Sequence, residues 1–553
     1  MVTTASPVST PAENAISEAI QRSRGARRLH PFTLPPEIGA ALTRRVPVVI
    51  VGAGPTGLVL ALELSAHGIP VIVLEKQAHA SDGSRAICWS KRSLEILDRH
   101  GLGEGLRARG VTWNVGRVFL GADPEPLYSF DLQAIKDQKF PAFINLQQYH
   151  VEETLVEALA TRGEVDLRWQ QEVAALQQDD AGATLTVRTP AGEYRLCADW
   201  VVAADGHRSP LRGMLGLDFA GRTFEDNFLI ADVRMRAPFP PERRFYFNAP
   251  FNEGRTALMH QQPDDLWRLD FQLGWDIDRE AALSPGSVDR RVRAMLGADL
   301  AFEYEWVSLY TFQCRRMERF VHGRVVFVGD AAHLVSPFGA RGANGGLQDV
   351  DSLAWRLREI LQHGATPSLL AGYEEERILG ADENIRNSTR ATDFMTPKTP
   401  GARALQSAVL GLARERPFAR ALVNSGRLSI PCSLRGTATI TPDTDRFDTP
   451  GMEPGSVALD APTGAKTWLL ELLGGRFVCL VLGGMEPTSL PPGVDCLVLD
   501  RDFEDPTGLV MARYAPHGEA TYLIRPDQHV TARWHTPSAD MIQQAWRRSL
   551  AAS

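Results

Sequence analysis

The sequence predicts an α/β protein. A Rossmann-like dinucleotide-binding sheet carries an inserted antiparallel sheet, and a further α/β domain follows at the C-terminal end. Three observations predict this. Residues 46–75 read as strand, glycine-rich turn, helix and strand, closed by an acid. Residues 221–320 alternate strand-like segments with polar and aromatic side chains, and a second strand, glycine-rich turn and helix follows from Arg324. The expected division is an N-terminal extension at 1–45, a discontinuous nucleotide-binding domain at 46–220 and 321–400, and the inserted sheet at 221–320. A helical segment and linker at 401–445 then leads to a C-terminal domain at 446–553.

At 553 residues the chain can hold two or three domains with sizeable cores. A formal net charge of −8 provides no basic field for nucleic acid and no polybasic patch for a membrane surface. Six cysteines are scattered with no C-x-x-C pair, which argues against a disulfide framework or a metal site and for reduced thiols in the cytoplasm. The most apolar run, 46–64, follows Arg44-Arg45 as an export signal would. It is interrupted by Gly52, Gly54, Pro55 and Gly57, so a buried strand–turn–helix is the better reading.

Taken in order, residues 1–45 are rich in Ala, Pro, Ser and Arg, with one short helix expected near 12–24, and read as an extension outside the main fold. Val46–Val51 is a continuously apolar strand of the kind found inside parallel sheets. In Gly52-Ala53-Gly54-Pro55-Thr56-Gly57, Gly52 makes the tight turn, Gly54 admits a pyrophosphate to the backbone, and Gly57 allows close helix–strand packing. A helix to His67 and a strand at 70–74 follow. Glu75, 18 residues after the last glycine and followed by Lys76, is placed to accept from a ribose.

Arg85 could reach a pyrophosphate as a bidentate donor, or be a solvated loop residue. Gln148 and Glu152 lie one turn apart on a helix running to about 160, and by themselves read as a surface pair. Strands are expected at 165–169, 183–189, 193–197 and 200–204, the last ending in the turn Asp205-Gly206 before Arg208 and Arg212. Within the insert, Arg268, Asp270 and Gln272 alternate along one strand face, to bind a polar substituent or to face solvent.

The stretch from Gly329 to Asp349 places a carboxylate, Asp330, at a strand end, then a glycine-rich turn opening an amphipathic helix. Backbone N–H groups and a positive helix end are thereby aimed at an electron-rich partner. A Pro/Thr-rich linker at 431–450 precedes strands near 476–482, 495–499 and 520–525 and helices near 505–513 and 538–550. That tail has neither C-x-x-C nor clustered acids and suggests structural or oligomeric duty.

Together, Gly52–Gly57 with Glu75, the Asp205-Gly206 turn, and Gly329-Asp330 resemble the single-component FAD-dependent aromatic hydroxylases, the para-hydroxybenzoate hydroxylase family. The similarity is greatest to the larger phenol, 3-(3-hydroxyphenyl)propionate and aromatic-polyketide hydroxylases. The resemblance implies a glutathione-reductase-like FAD-binding domain, a substrate-binding sheet and a C-terminal thioredoxin-like domain. It implies FAD as cofactor, NADPH or NADH as transient co-substrate, a small aromatic substrate with O2, and leaves a homodimer open.

By the same resemblance, Gly52, Gly54 and Gly57 would hold the pyrophosphate with Arg85, Glu75 the ribose, and Gln148 would lie near the flavin. Asp205 and Gly206 would meet FAD and NADPH, Asp330 the ribityl chain, and Pro337 the reacting face of the flavin. Gly339, Gly342, Ala343 and Asn344 would approach its pyrimidine edge. Where many members read Pro-Pro and Gly-Gln-Gly, this chain has Ser336-Pro337 and Ala340-Arg341-Gly342, leaving Arg341 either a cation near the flavin or a solvent-facing residue.

The implied reaction runs through a flavin C4a-hydroperoxide to an electron-rich phenol in a dry pocket. The helix starting near Gly342 would favour the anionic reduced flavin by ~0.3–2 kcal/mol. His260, Tyr246 or Tyr310 could assist phenolate formation, or be ordinary core and sheet residues. Baeyer–Villiger insertion or epoxidation on the same scaffold is the alternative chemistry. A non-catalytic FAD-fold binding protein is the remote one, disfavoured by the intact Asp330 motif.

Overall fold

The computed structural model describes residues 11–22, 28–40, 43–80, 86–132, 135–237, 240–423, 430–447, 452–464 and 466–550. Arg85 lies outside the described residues.

The first sheet has a parallel core of five strands, side by side in the order Val325–Phe327, Gly192–Ala203, Arg44–Val51, Val71–Glu75 and Val165–Trp169. Val48, Val49 and Ile50 are fully buried, because helices cover the sheet and leave no face for water. Helix Pro55–Ala66, apolar on nearly every side, is sandwiched between this sheet and helix Gly342–Gln362, against which Leu369–Met395 packs. The segments expected at 193–197 and 200–204 are one strand, Gly192–Ala203. Its first half pairs with a hairpin, Glu172–Asp179 and Gly182–Thr189, of which only the second strand was foreseen.

The second sheet has eight strands in the order His333–Leu334, Glu303–Met317, Phe219–Arg234, Leu266–Gly274, Arg255–Gln261, Arg243–Ala249, Val115–Leu120 and Tyr128–Asp131. It is therefore wider than an insert at 221–320, since three of its strands come from outside that range. Those three are short, with Gly116 and polar residues among the apolar ones, and carry no strong period-two signal. Leu229, Ala231, Trp267, Leu269 and Phe271 project from one face into a core closed by helix Pro285–Leu296 and by the N-terminal helix Pro11–Arg22.

Ile16 and Ala19 of that first helix are fully buried there, so part of the N-terminal extension is a structural element of this layer. Residues 28–40 lie along the first sheet. There His30 stacks on Trp169 at 4.2 Å, and Arg168 donates to both oxygens of Glu37 at 2.9 and 3.0 Å.

A third sheet near the C-terminal end orders Val494–Val498, Phe477–Leu482, Ala520–Ile524 and Val530–Trp534, the first two parallel and the rest antiparallel. The final strand had no counterpart in the sequence reading. Helices Leu509–Tyr514 and Ala539–Leu550 accompany it. The described part of the expected linker, 430–447, contains no helix or strand, yet Cys432, Leu434 and Ile440 are buried, so it is a packed strap. Among the described residues no helix is long and apolar enough to cross a membrane, and no group of His, Cys, Asp and Glu could hold a metal ion.

Candidate active site

Four neighbouring parallel strands end on the same edge of the first sheet in Gly52, Glu75, Asp205 and Asp330, where ligands of open α/β sheets bind. Gly52 has φ +108°, and a Cβ there would sit 2.4 Å from the Ala204 carbonyl oxygen. A Cβ on Gly57 would sit 2.0 Å from the Gly52 carbonyl oxygen, so helix and turn meet backbone to backbone. Gly54 differs: its Cβ would meet nothing within 4 Å, which leaves open space over the start of the 55–66 helix. Pro55 opens that helix and its missing N–H costs nothing there. Glu75 is buried, and its two carboxylate oxygens accept from Ala53 N and Gln77 N, each at 2.9 Å. Lys76 is exposed.

The second glycine-rich turn closes onto the first through Thr56. A Cβ on Gly329 (φ +57°) would sit 2.8 Å from Thr56 Oγ1, and one on Gly346 2.7 Å from the same atom. Only glycine lets these two helix starts come together. Asp330 Oδ1 lies 4.0 Å from where a Cβ on Gly342 would be, so this strand-end carboxylate stands beside the N-terminus of the 342–362 helix. That helix has no side-chain cap, and its N–H groups at Gly342, Ala343 and Asn344 have no intrahelical acceptor.

Asp349 locks the arrangement. It is fully buried and accepts from Gly329 N at 2.9 Å, His333 Nε2 at 2.7 Å and Arg377 Nε at 2.7 Å. Burial alone would raise its carboxyl, but His333 and Arg377 outweigh that and hold it below the usual range. The sequence offered a weak sign of this role, an acid 20 residues after Gly329 with His333 between.

Of the residues expected at the flavin, Asn344 uses its side chain internally. Its oxygen accepts from Ser90 N and Ser93 Oγ, and its amide donates to Cys88 O and Ala340 O. The turn Pro337–Ala340 is closed by Ala340 N donating to Pro337 O at 3.0 Å, with Gly339 at φ +99°, and Pro337 is exposed. Arg341 does not face solvent; it is 3% exposed, with Nη1 3.4 Å from Phe338 O.

Gln148 and Glu152 are likewise buried rather than a surface pair. Gln148 accepts from Ala86 N at 3.0 Å and donates to Glu152 at 2.8 Å. Asp205 Oδ2 accepts from Ser209 Oγ at 2.8 Å, whereas Oδ1 is sealed from solvent with no partner, and burial pushes the carboxyl up to about 6. Gly206, at φ +78°, faces open space.

The inner face of the second sheet and the 337–341 turn enclose an apolar cleft. Val118, Phe130, Phe245, Phe247, Phe338, Gly339, Arg341, Ala391, Met395 and Val423 line it. Strand parity decides which expected residues reach this side. Tyr246, neighbour of Phe245 and Phe247, points to the opposite face, stacked on Phe119 at 4.9 Å and edge-on to Phe251 at 5.3 Å. His260 shares the inner face with Arg268, Asp270 and Gln272, while Tyr310 stands 39% exposed beside Phe312. Arg268 is closed by a bidentate pair with Asp232 at 2.7 and 2.8 Å, and Gln272 accepts from Thr256 N at 3.2 Å. The sequence marks aromatic side chains along 221–320, Phe245 and Phe247 among them, but no motif points to Phe130, Phe338 or Met395.

The residues present fit an FAD. The open surface at Gly54 suits a pyrophosphate, and the carboxylates at strand ends suit ribose and ribityl hydroxyls. The orphaned Asp205 oxygen awaits a donor.

Comparison with known proteins agrees. Residues 45–388 match the FAD binding domain family. The chain is 32% identical over 508 residues to the 12-dehydrotetracycline 5-monooxygenase/anhydrotetracycline 6-monooxygenase of Streptomyces rimosus, covering 88% of this chain and 95% of that one. It is also 32% identical over 444 residues to a 3-(3-hydroxy-phenyl)propionate/3-hydroxycinnamic acid hydroxylase of Burkholderia vietnamiensis, covering 78% of each. Among solved structures, aklavinone-11 hydroxylase in ternary complex with FAD and aklavinone shares the fold, with a TM-score of 0.76, 22% identity and coverage of 92% of this chain and 99% of that one. The chain belongs to the FAD binding domain family, among the flavin-dependent aromatic monooxygenases.

Proposed function

We propose that this protein binds FAD across the two glycine turns and hydroxylates a phenolic or fused-ring aromatic substrate, with NADPH or NADH and O2 as co-substrates. The observation that carries the reading is the junction at Thr56, where Gly329 and Gly346 bring the starts of the 55–66 and 342–362 helices together at the strand edge. Gly52, Gly54, Thr56 and Gly57 cradle the pyrophosphate and Glu75 takes the ribose. Asp330 takes the ribityl chain, and Asp205 with Gly206 meets a further hydroxyl. Bound FAD, once reduced by the nicotinamide, supplies the activation of O2 for transfer to an electron-rich ring.

The chain's own part is to hold and to exclude. With FAD bound, Gly342 and Ala343 would offer backbone N–H groups to the ring, Pro337 would lie beside it, and the aromatic cleft would keep water from the substrate. Relatives named for 12-dehydrotetracycline and anhydrotetracycline and for 3-(3-hydroxy-phenyl)propionate support an aromatic substrate. The C-terminal sheet, two parallel strands followed by two antiparallel ones with flanking helices, supports a thioredoxin-like domain in a structural role. A cytoplasmic location completes the reading.

Purified protein is expected to be yellow, and a phenol that fits should stimulate NAD(P)H oxidation with O2 uptake and a product heavier by one oxygen atom. A colourless protein that takes up no FAD, or nicotinamide oxidation that no aromatic stimulates, would overturn it.

A further inference from the structure

Four strands of the second sheet carry a row of ionisable side chains on the inner face. Arg268 stands opposite Asp232 on one side and His260 on the other, and the pairing of Arg244 with Met259 sets Arg243 beside His260. The two ends of this row differ. Arg268 and Asp232 neutralise each other through two short hydrogen bonds.

Arg243 has no such partner. It is 5% exposed, no carboxylate among the described residues pairs with it, and its Nε is sealed from solvent without an acceptor. Its guanidinium rests instead against two rings, 4.9 Å from Phe245 and 5.8 Å from Trp113. These π faces offset only part of the loss of hydration.

The neighbours are also unsatisfied. His260 is 3% exposed, and neither ring nitrogen makes a well-aligned hydrogen bond, although Nε2 lies 3.5 Å from Asp270 Oδ2. Burial, with Arg243 and Arg268 nearby, lowers its pKa and keeps the ring neutral despite Asp270. Gln262, one residue past the end of the same strand and fully buried, has neither amide atom bonded.

Buried polar groups ordinarily find partners, and here Arg243 and His260 lie side by side on the inner face with Gln262 just beyond, each with polar atoms left over. The cluster also borders the active site. Phe245 lines the cleft, and Trp113 packs in one group with Ala340 of the 337–340 turn.

We propose that Arg243 anchors an ionised oxygen substituent of the aromatic substrate, with His260 and Gln262 hydrogen-bonding the same group. The substrate class is thereby an aromatic acid: a ring bearing a carboxylate arm, or one whose own phenol or enol oxygen is ionised. This rests on the cleft being the substrate site of the monooxygenase. Arg243 positions the ring and the flavin performs the chemistry.

The test uses the flavin-loaded full chain and reads dissociation constants from perturbation of the flavin absorbance. One arm compares 3-(3-hydroxyphenyl)propionate with its amide, the other para-nitrophenol, above its ionisation, with its methyl ether. Wild-type protein should bind the anion at least tenfold more tightly than the neutral partner in one arm, and the arm that shows it identifies the oxygen. Arg243→Met should abolish that preference and raise KM at least tenfold with a smaller change in kcat. Arg243→Lys should restore part of the preference, and flavin content and melting temperature should hold in both variants.

Equal affinity for anion and neutral partner in both arms, or a preference that survives Arg243→Met, would overturn the proposal. Collapse of folding in both Arg243 variants would overturn it too, by making Arg243 a structural residue. Anion preference without substrate-stimulated NAD(P)H oxidation would sink the monooxygenase reading alone, whereas stimulated oxidation without preference would sink only the subsite.

Discussion

Two buried clusters of charge in this molecule face the same desolvation cost and resolve it differently. Between the 342–362 and 369–395 helices and the loop at 525–528, Glu376 accepts from Arg356 at 2.8 Å and from Arg525 at 2.6 and 3.1 Å, while Arg525 also pairs with Asp527 at 2.8 Å. Arg92 joins them by donating to Asp351 at 2.7 Å and to the Asp527 carbonyl at 2.9 Å. Burial would raise the Glu376 carboxyl, but Arg356 and Arg525 win and hold it at about 2. Every arginine here pairs with a carboxylate of the chain, although Arg92 Nε and Arg356 Nε find no acceptor.

On the inner face of the second sheet, Arg243, His260 and Gln262 are as deeply buried and left open. The closed cluster fastens the C-terminal sheet to the flavin-binding layer. The open one is completed by what enters the cleft.

The largest effect should come from breaking the closed cluster. Arg525→Met leaves Glu376 and Asp527 buried beside fewer cations, at a cost of about 3–5 kcal/mol in denaturant unfolding. Flavin affinity should change far less, since Arg525 lies away from the glycine turns.

Asp205 tests a half-open case through pH. Its carboxyl titrates near 6 when folded, above its ordinary value, so between about pH 4 and 6 the folded apoprotein keeps a proton that the unfolded chain has released. Its contribution is therefore complete below that window and declines as pH rises through it, by on the order of 3 kcal/mol. Asp205→Asn should gain stability relative to wild type across that window, and the difference should be flat above it. A constant difference from pH 4 to 8 would contradict the assigned shift.

Asp330→Ala removes a charged acceptor for a ligand hydroxyl, worth roughly 1.5–3 kcal/mol, so FAD should bind about ten- to a hundredfold more weakly. Full flavin retention after gel filtration would show that Asp330 does not touch the cofactor. The smallest effect is expected at Tyr246. On the far face of its strand, Tyr246→Phe should leave kcat/KM unchanged and stability within about 0.5 kcal/mol.

The part of the site made by backbone was legible in the sequence. Gly52, Gly54, Gly57 and Glu75 fall at fixed spacing because a tight turn, an approaching phosphate and a helix–strand contact all act locally. The Gly329–Asp349 stretch could be read for the same reason. What could not be read depends on distant partners or on parity. Arg268 looked available because its partner, Asp232, is 36 residues away, and Gln148 looked exposed because nothing local reveals its burial. Tyr246 and Phe245 differ by one position, and one position decides which face of a sheet a side chain takes. The strands 115–120 and 128–131 joined the second sheet from far upstream, a parallel pairing with 243–249 that no nearby turn announces.

The comparison between the two clusters stands most directly on the stability of flavin-loaded Arg243→Met, measured by denaturant unfolding beside Arg525→Met. If Arg243 is an unpaired cation reserved for the substrate, its replacement should leave the protein as stable as wild type, or somewhat more so, while Arg525→Met loses about 3–5 kcal/mol. An equal loss in both variants would contradict the account, because Arg243 would then be holding the fold together as Arg525 does.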